Sequence, residues 1–349
     1  SLGHLIGKEL AQLAGVPSEL LESRLGLAFV NRLAKPVYDT LKLSVLNRNR
    51  QRTYLEEVML PEWTSLQQEG HAVDVNHRTE FNLEDEAPAY FTHYTLFLTV
   101  RLMDLYVALA VELKLFVGFH DISVAFWYRD FLLSSLLNTL SAMRKAKAAA
   151  KLREQETAVP KGRGKKKGSR NGHHPKKLPS EEDILDDIGF MLVGLKRSLC
   201  RGSVRFVAAL TQAKMVSVPS FEFTSHSQRF LKRFGAFGNI AQPPPLTYAD
   251  FQQGSDFSNV VQADLLAATG ECFKSAKTMV DSLSAQLKLV DKSFAAVSED
   301  DVRNYAKICV GNSVFLMKLS QQVSGDGKAS GKATMEFDAN QQFFTVKIN

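Results

Sequence analysis

The sequence predicts an all-α protein, an irregular multi-helix scaffold with a disordered basic loop and a short C-terminal β-strand. Apolar residues recur at three- and four-residue steps along most of the chain, which is the spacing of helices with one buried face. The 349 residues include 23 Phe but only 11 Pro and 21 Gly, so the chain can bury a sizeable core and contains few helix breakers. A repeat with a period of about 20 to 50 residues is not detectable, so the bundle is expected to be irregular.

The first quarter of the chain predicts two or three helices separated by prolines. Ser18 is expected to cap the first helix, and Pro36 is expected to interrupt it. Apolar spacing resumes after Pro36 and continues through the polar segment 47–52 to Pro61, which either kinks a helix or begins the next one. Residues 75–88 are polar and acidic, and they are expected to form a loop.

The most apolar stretch follows, at residues 88–119. Arg101, Asp104, Glu112 and Lys114 interrupt it before about twenty uncharged residues accumulate. We therefore expect a buried helix over 90–118 at the centre of the bundle rather than a membrane span. A second helix, over 122–152, is apolar at its start and basic at its end.

The second half of the chain begins with a helix start signal, because Ser180 precedes three acids that suit the free N–H groups of a first turn. This helix is expected to continue to about residue 215. The remaining predictions are a short helix at 228–234, a turn-rich crossing segment at 235–245, an antiparallel helix pair at 260–289 and 301–321, and an edge strand within 335–348.

These elements predict four units: an N-terminal helical lobe (1–159), a basic disordered loop (160–179), a C-terminal helical lobe (180–324), and a linker with an extended tail (325–349). The loop holds eight bases and no acid, so the formal charge of +6 leaves −2 for the rest of the chain. The eight bases of the loop are candidate contacts to ribosomal or other RNA, through its phosphates. They are Lys161, Arg163, Lys165, Lys166, Lys167, Arg170, Lys176 and Lys177. A solvated linker is the alternative interpretation.

No pattern typical of catalysis is present. Cys200, Cys272 and Cys309 lack the spacing of a disulfide framework or zinc site, which favours a reducing, cytoplasmic compartment. The eight histidines form no metal-binding pair, and no phosphate-binding or nucleophile motif occurs. Residues 67–72 and 322–327 match the degenerate pattern for acetyl-coenzyme A binding, but neither match has the strand before it and helix after it that the site requires. Acids such as Asp186 and Asp187 are expected to be solvated.

Several separated segments resemble one known family. They are 33–42 (LAKPVYDTLK), 47–52 (NRNRQR), 71–74 (HAVD), 233–237 (RFGAF) and 243–246 (PPPL), together with Trp63, Tyr248 and the ending 336–347. In this order they resemble the C-terminal half of the large auxiliary subunit of the N-terminal acetyltransferase C (NatC) complex.

The resemblance implies a non-catalytic scaffold without a cofactor of its own. Its expected partners are a catalytic N-acetyltransferase subunit, which would carry acetyl-coenzyme A, and a small Sm-like auxiliary subunit; the ribosome is a further one. The implied activity of the complex is co-translational acetylation of nascent chains that begin with Met followed by Leu, Ile, Phe or Trp. No metal and no membrane are expected. The rival hypothesis is a helical RNA- or ribosome-binding protein that acts through the basic loop.

The candidate partner-binding residues are Tyr38, Arg48, Arg50, Arg52 and Trp63. The three arginines alternate along the chain, and a step of two residues turns a helix by about 200°, so they cannot all share one face. At least one is expected to contact carboxylates or carbonyls, either inside the scaffold or on the catalytic subunit. Tyr38 and Trp63 are expected in the core, with an interface as the alternative.

Overall fold

The computed structural model describes residues 7, 9–12, 14–83, 88–158, 180–216, 223–324, 331–337 and 342–348. Within these ranges the protein is an all-α bundle with one small β-hairpin, as the sequence predicts. Its helices are α1 (Ser18–Glu22), α2 (Arg24–Leu43), α3 (Arg48–Tyr54), α4 (Leu60–Glu80), α5 (Tyr90–Glu112), α6 (Gly118–Ala158), α7 (Glu181–Gln212), α8 (Phe223–Phe234), α9 (Tyr248–Gly254), α10 (Gln262–Gln286) and α11 (Glu299–Ser324).

The helix boundaries near the N-terminus differ from those that the sequence predicts. Ser18 is the first residue of α1 rather than its cap, and Ser23 caps α2 by accepting a hydrogen bond from the Gly26 N–H at 3.0 Å. Pro36 does not interrupt α2 but is buried inside it. The segment expected as a loop from residue 75 continues α4 to Glu80. Pro61 does not begin a separate helix, because α3 continues through a π-helical turn (Leu55–Met59) directly into α4, and the proline follows this turn within one continuous helical run.

α5 and α6 form the centre of the bundle. By length and composition, α5 could span a membrane. However, 72% of its most apolar 18-residue stretch is buried inside the protein. It packs between α4 and α6. The helix therefore has the place that the sequence predicts, as a core element, and it ends at Glu112, six residues before Gly118 begins α6.

A line of ion pairs joins α6 to α7. Ser180 and Asp183 form a capping box at the start of α7, which confirms the predicted helix start. The acids of this first part of α7 then pair with the basic end of α6, at distances of 2.9 Å (Arg144–Asp187), 2.7 Å (Lys147–Asp186) and 3.3 Å (Lys151–Asp183). Asp186 and Asp187 lie at the surface, with 30 and 55% of their side chains exposed, as the sequence predicts, and each also pairs with a base of the antiparallel α6.

The C-terminal elements are an antiparallel helix pair and a hairpin. α10 packs along α7 and α11, and β1 (Ala333–Glu336) pairs with β2 (Thr345–Ile348) in antiparallel register, with Met335 opposite Val346. The Asn312 side chain on α11 holds β2 by donating to the Phe344 carbonyl and accepting from the Val346 N–H. The predicted edge strand is therefore one half of a two-stranded sheet.

The predicted division into two lobes and a tail crosses a continuous hydrophobic core. Buried residues from α2 to α11 and from the hairpin form one contiguous cluster. Phe343 and Phe344 of the tail stack on Phe126 of α6, with ring centroids 5.5 and 5.7 Å apart. The basic loop, residues 160–179, lies outside the described residues. The unit boundaries stay a prediction.

One buried ion pair lies at the centre of this core. Arg129 on α6 is fully buried, and its Nε donates to the Asp104 carboxylate of α5 at 2.7 Å. Burial opposes the guanidinium charge, but the Asp104 carboxylate outweighs this effect and raises the pKa of Arg129 above its ordinary value. Arg129 also donates to the Gln342 Oε1 at 3.4 Å and lies 5.3 Å from the Phe343 ring. The pair thus joins α5, α6 and the tail.

We expect Arg129→Ala to lower the free energy of unfolding by about 3 to 5 kcal/mol, because it leaves the Asp104 carboxylate buried without its counterion. Urea denaturation followed by circular dichroism measures the change. Arg303→Ala is the matched control, since Arg303 pairs with Asp300 on the exposed face of α11 and its loss should cost no more than about 0.5 kcal/mol. Equal effects of the two substitutions would contradict the role given to Arg129.

Candidate partner-binding surface

The outward side of α2 carries a row of exposed apolar side chains. Leu27, Tyr38, Leu41 and Val45 are 50, 50, 62 and 81% exposed. Their spacing places them on one side of the helix and of the turn that follows it, because seven residues make about two helical turns. We call these four residues the outer stripe. Leu27 lies about three turns before Tyr38, whereas Tyr38, Leu41 and Val45 are on successive turns. Single exposed apolar residues are ordinary, but a group of this kind is typical of a surface that a partner covers.

α2 also has an inner apolar face, which holds it against the core. Phe29, Val30 and Leu33 are at most 5% exposed, and the Phe29 ring packs edge-on against Phe91 of α5. α2 is thus apolar on two opposite sides. Only one of them is covered within the described residues.

A network of charges sets the rotation of α2 about its own axis. The buried Asp39 carboxylate accepts from Lys35 at 3.0 Å and from Lys42 at 2.6 Å. Lys35 and Arg32 both reach Glu62 of α4, at 3.3 and 3.1 Å. The two contacts to Glu62 join α2 to α4, so turning the outer stripe toward the core would break them, whereas the contacts of Lys35 and Lys42 to Asp39 lie within α2 and would move with it.

The pKa of Asp39 shows that the network favours the ionised carboxylate. Burial alone would raise this pKa, but the hydrogen bonds from Lys42 and Lys35 outweigh burial and lower it below its ordinary value. The same contacts raise the pKa of Lys35 and Lys42. All three groups are therefore charged at neutral pH.

The arginine-rich segment begins α3 beside the outer stripe. Asn47 caps the helix by accepting from the Arg50 N–H at 3.0 Å. Arg48 and Arg52 face α5, since two steps of 200° bring the first and third arginines to within about 40° of each other. The Arg48 Nε lies 3.1 Å from Glu112. Arg50 points away into solvent and forms no ion pair with any described residue.

Arg52 is the arginine that turns inward. Its guanidinium lies 4.2 Å from the centre of the Tyr106 ring and donates to the Tyr106 hydroxyl, which itself donates to Glu56 at 2.9 Å. The expectation that at least one arginine faces inward is confirmed. Arg52 is engaged in the scaffold's own packing, and Arg50 is the one with an unengaged guanidinium within the described structure.

The two candidate aromatic residues have opposite places. Trp63 on α4 is completely buried, which confirms the core prediction and removes it from any surface. Tyr38 was also expected in the core, but half of its surface is exposed and the Lys42 ammonium lies 5.3 Å from its ring. The core prediction is therefore wrong for Tyr38, and a place at an interface remains the prediction for it.

Sequence reasoning missed two groups of residues. Gln51 is buried and joins α3 to α2, since its Nε2 donates to the Leu43 carbonyl at 2.6 Å. Leu41 and Val45 fit the apolar spacing of a helix, and this spacing alone does not predict that they are exposed. The signal that could have found them is a second apolar row about half a turn away from Phe29 and Leu33.

The other candidate features are placed as follows. Residues 67–72 lie inside α4, so this match to the acetyl-coenzyme A pattern is a helix interior rather than a strand-to-helix turn. No group of three metal-ligating side chains occurs in the described part of the chain. The eight candidate RNA-contacting bases, from Lys161 to Lys177, lie outside the described residues.

The motif 233–237 has a structural role. Arg233 on α8 forms an ion pair with Asp121 of α6 at 2.6 Å, and Phe234 stacks on Tyr128 with ring centroids 4.3 Å apart. Phe237 packs on both Tyr128 and Tyr106. The motif therefore holds α8 and the turn that follows it against α5 and α6.

The chain matches a known protein family over nearly its whole length. Residues 4–346 match a protein-family model described as NAA35-like, TPR repeats. The chain belongs to this NAA35-like family. The resemblance found in the sequence is thereby confirmed. The TPR repeats of the description were not detectable as a constant period, because the helices of this NAA35-like chain range from 5 to 41 residues.

The relatives of this NAA35-like chain are auxiliary subunits by name. The rat and human proteins named N-alpha-acetyltransferase 35, NatC auxiliary subunit, are each 26% identical over 333 residues, which cover 92% of this chain and 42% of theirs. The homolog in Drosophila melanogaster is 24% identical over 259 residues, covering 70% of this chain and 32% of its own. The chain thus spans less than half the length of these relatives.

Two solved structures share the fold. The crystal structure of the NatC complex bound to Gag peptide and CoA contains a chain that matches all of this one with a TM-score of 0.66 at 15% identity. The NatC complex bound to CoA gives a TM-score of 0.62 at 14% identity. In both, the match covers 51% of the other chain.

The Asp39 network predicts a pH-dependent contribution to stability. We expect Asp39→Asn to lower the free energy of unfolding at pH 7 by about 1.5 to 3 kcal/mol, the range for hydrogen bonds to charged groups. Because the folded-state pKa lies below the unfolded one of about 3.9, this difference is fully present above that pH. It should shrink as the pH falls through the folded-state pKa. Urea titrations of both proteins between pH 7 and pH 3 measure it; a difference that grows toward acid would contradict the assignment.

The arginines of α3 should separate by role. We expect Arg52→Met to lower the free energy of unfolding by about 1 to 3 kcal/mol, since Glu56 and the Tyr106 hydroxyl lose a charged donor. Arg50→Met should change it by no more than about 0.5 kcal/mol. Thermal unfolding of the two variants compares them, and a larger cost for Arg50→Met would refute the orientation of α3.

Proposed function

We propose that this chain is part of a non-catalytic scaffold subunit of the NatC N-terminal acetyltransferase, which holds the catalytic subunit through the outer stripe. The complex would acetylate nascent chains that begin with Met followed by Leu, Ile, Phe or Trp. The observation that carries the proposal is an exposed apolar row on a helix whose rotation is set by ion pairs, in a chain of the NAA35-like family.

The outer stripe has the composition of an interface core. Tyr38 supplies an aromatic side chain with a polar tip, the type enriched among residues that dominate binding energy. Leu41 and Val45 extend the apolar area on one side, and the exposed Arg50 stands nearby as a charge for the rim. A partner that covers this area would bring apolar side chains to the centre and carboxylates to the Arg50 side.

The proposal assigns the chemistry to other chains. Acetyl-coenzyme A would bind the catalytic subunit, and a small Sm-like subunit would complete the cytoplasmic assembly. Within the described residues, the four buried acids are each held by structural contacts: Asp39 to Lys42, Asp74 to the start of α5, Asp104 to Arg129 and Asp121 to Arg233. Such groups are occupied with folding and do not converge on a shared cleft.

Co-expression with the catalytic subunit tests the proposal. We expect the two chains to co-purify and a Met-Leu peptide to be acetylated only by the complex. Because truncating anchor residues costs about 2 kcal/mol or more each, the double variant Tyr38→Asp, Leu41→Asp should weaken association at least tenfold in a titration with labelled catalytic subunit.

Leu231→Asp is the matched control, because Leu231 is an exposed apolar residue of similar exposure (66%) on α8. It should leave association unchanged. Equal losses for the control and the double variant would place the interface elsewhere, and a chain that stays monodisperse alone and never associates would refute the scaffold function.

We also propose that the basic loop contacts the ribosome. Three bases at the end of α6, Arg144, Lys147 and Lys151, pair with acids of α7. The eight bases of 160–179, by contrast, have no acid among them in the sequence. Their contacts would be to phosphates and would weaken steeply with salt.

Replacing these eight bases by Ser tests the ribosome contact. We expect the variant to lose co-sedimentation with ribosomes at low salt, while it still binds the catalytic subunit. Loss of peptide acetylation in the same variant, without a change in ribosome binding, would contradict the contact. If ribosome or RNA binding were the chain's main activity and subunit association were absent, the RNA-binding hypothesis would replace the scaffold.

A further inference from the structure

A second surface, on the opposite half of the chain from the outer stripe, has the features of a docking groove. α7 runs between α6 and α10 and leaves a groove of about 540 Å³ along its outer side. Half-buried apolar side chains line it, among them Leu137 of α6, Met191 of α7 and Met279 of α10. The groove is open along its length and is wide enough to take side chains from another segment.

One wall of the groove is a ladder of arginines. Arg197, Arg201 and Arg205 are four residues apart on α7 and all line the groove. Four residues advance a helix by about 6 Å, so the three guanidiniums repeat once per turn along about 12 Å. Arg197 and Arg201 are 33 and 39% exposed, and Arg205 is half-buried.

The acids of the surrounding helices do not match this charge. Asp130 of α6 is shared by two arginines, at 3.3 Å from the Arg197 Nε and 3.2 Å from the Arg201 Nη2. Arg205 donates to the Cys272 thiol at 3.2 Å, and sulfur is a weak acceptor. Glu271 at the rim is 72% exposed and faces Lys274 at 3.4 Å.

A purely structural role would not need this arrangement. One arginine is sufficient to pair with Asp130 and hold α6 to α7, and two more with unused N–H donors add repulsion without a further carboxylate. Guanidiniums present planar donor pairs that match carboxylates, so the ladder is suited to acids spaced one turn apart.

We propose that this groove binds an acidic, amphipathic helical segment of a partner protein. Its glutamates or aspartates would repeat every four residues and pair with Arg197, Arg201 and Arg205. Its apolar side chains would pack on Leu137, Met191 and Met279. The proposal rests on these residues alone and does not depend on the assignment to NatC.

The apolar wall favours a peptide over a nucleic acid or a free polyphosphate. Single-stranded nucleic acids bind grooves that combine positive charge with open aromatic faces. The aromatic residue of this groove, Phe190, has its ring 4.4 Å from the Arg144 guanidinium, so Arg144 occupies a face of that ring. Aliphatic and thioether side chains, by contrast, accommodate varied apolar partners.

Selection from a random display library of helical sixteen-residue peptides, against the full 349-residue chain, tests the proposal. We expect the selected peptides to carry acids four residues apart beside aliphatic residues. Fluorescence polarisation with one labelled peptide should give at least tenfold weaker binding for Arg201→Glu, and partial retention for Arg201→Lys.

Two further variants separate the groove from charge in general. Ser275→Trp, at the exposed rim of the groove, should block the peptide without any change of charge, and Arg303→Glu on α11 should leave binding unchanged. Circular dichroism verifies that each variant is folded.

Selection of basic or uncharged peptides, or of none, would overturn the proposal. Equal weakening by Arg201→Glu and Arg303→Glu would also overturn it, since binding would then follow net charge. Binding of a poly-uridine oligonucleotide that is lost in Arg201→Glu, with no acidic peptide selected, would assign the ladder to nucleic acid instead.

Discussion

The fold depends on the pairing of Arg129 with Asp104. Removing two charges from water is costly, and the pair compensates only because its geometry is close, with the Arg129 Nε 2.7 Å from the carboxylate. Apolar contacts are not directional, whereas this ion pair is, so it forms at only one relative placement of α5 and α6. Gln342 adds a third member, because its side chain accepts from Arg129 and donates to Glu112 at 2.7 Å. The tail is thereby tied to the same two helices.

The same chain of polar contacts reaches the surface. Glu112, at the end of α5, also pairs with Arg48 at 3.1 Å. The contacts therefore run from the buried Arg129 through Gln342 and Glu112 to α3, and α3 is joined to α2 by Gln51. Residues more than two hundred positions apart in the chain thus set where the arginine-rich segment and α2 lie. This is why a short sequence motif can have a defined place on an irregular bundle.

Local signals made part of this structure predictable. The capping box at Ser180, the buried α5 and the antiparallel pair α10–α11 each follow from residues within a few turns of one another. Pro36 within α2, the pairing of Asp186 with Lys147, and the binding of the tail to Arg129 do not, because each depends on a helix that is distant in sequence. Of the candidate site, the inward turn of one arginine followed from helical geometry. The exposure of Tyr38 depended on which of two apolar sides of α2 meets the core.

The orientation of α2 decides which of its two apolar sides is exposed as the outer stripe. An amphipathic helix with two apolar sides would be free to rotate if only apolar contacts held it, since hydrophobic burial is not directional. Glu62 of α4 limits this freedom, because Arg32 and Lys35 both reach it from α2, and Lys35 also holds the buried Asp39 carboxylate. Rotation that buried Tyr38 and Leu41 would expose Phe29 and break both contacts to Glu62. The exposure of the outer stripe is therefore enforced by the network, at a cost in solubility that a covering partner removes.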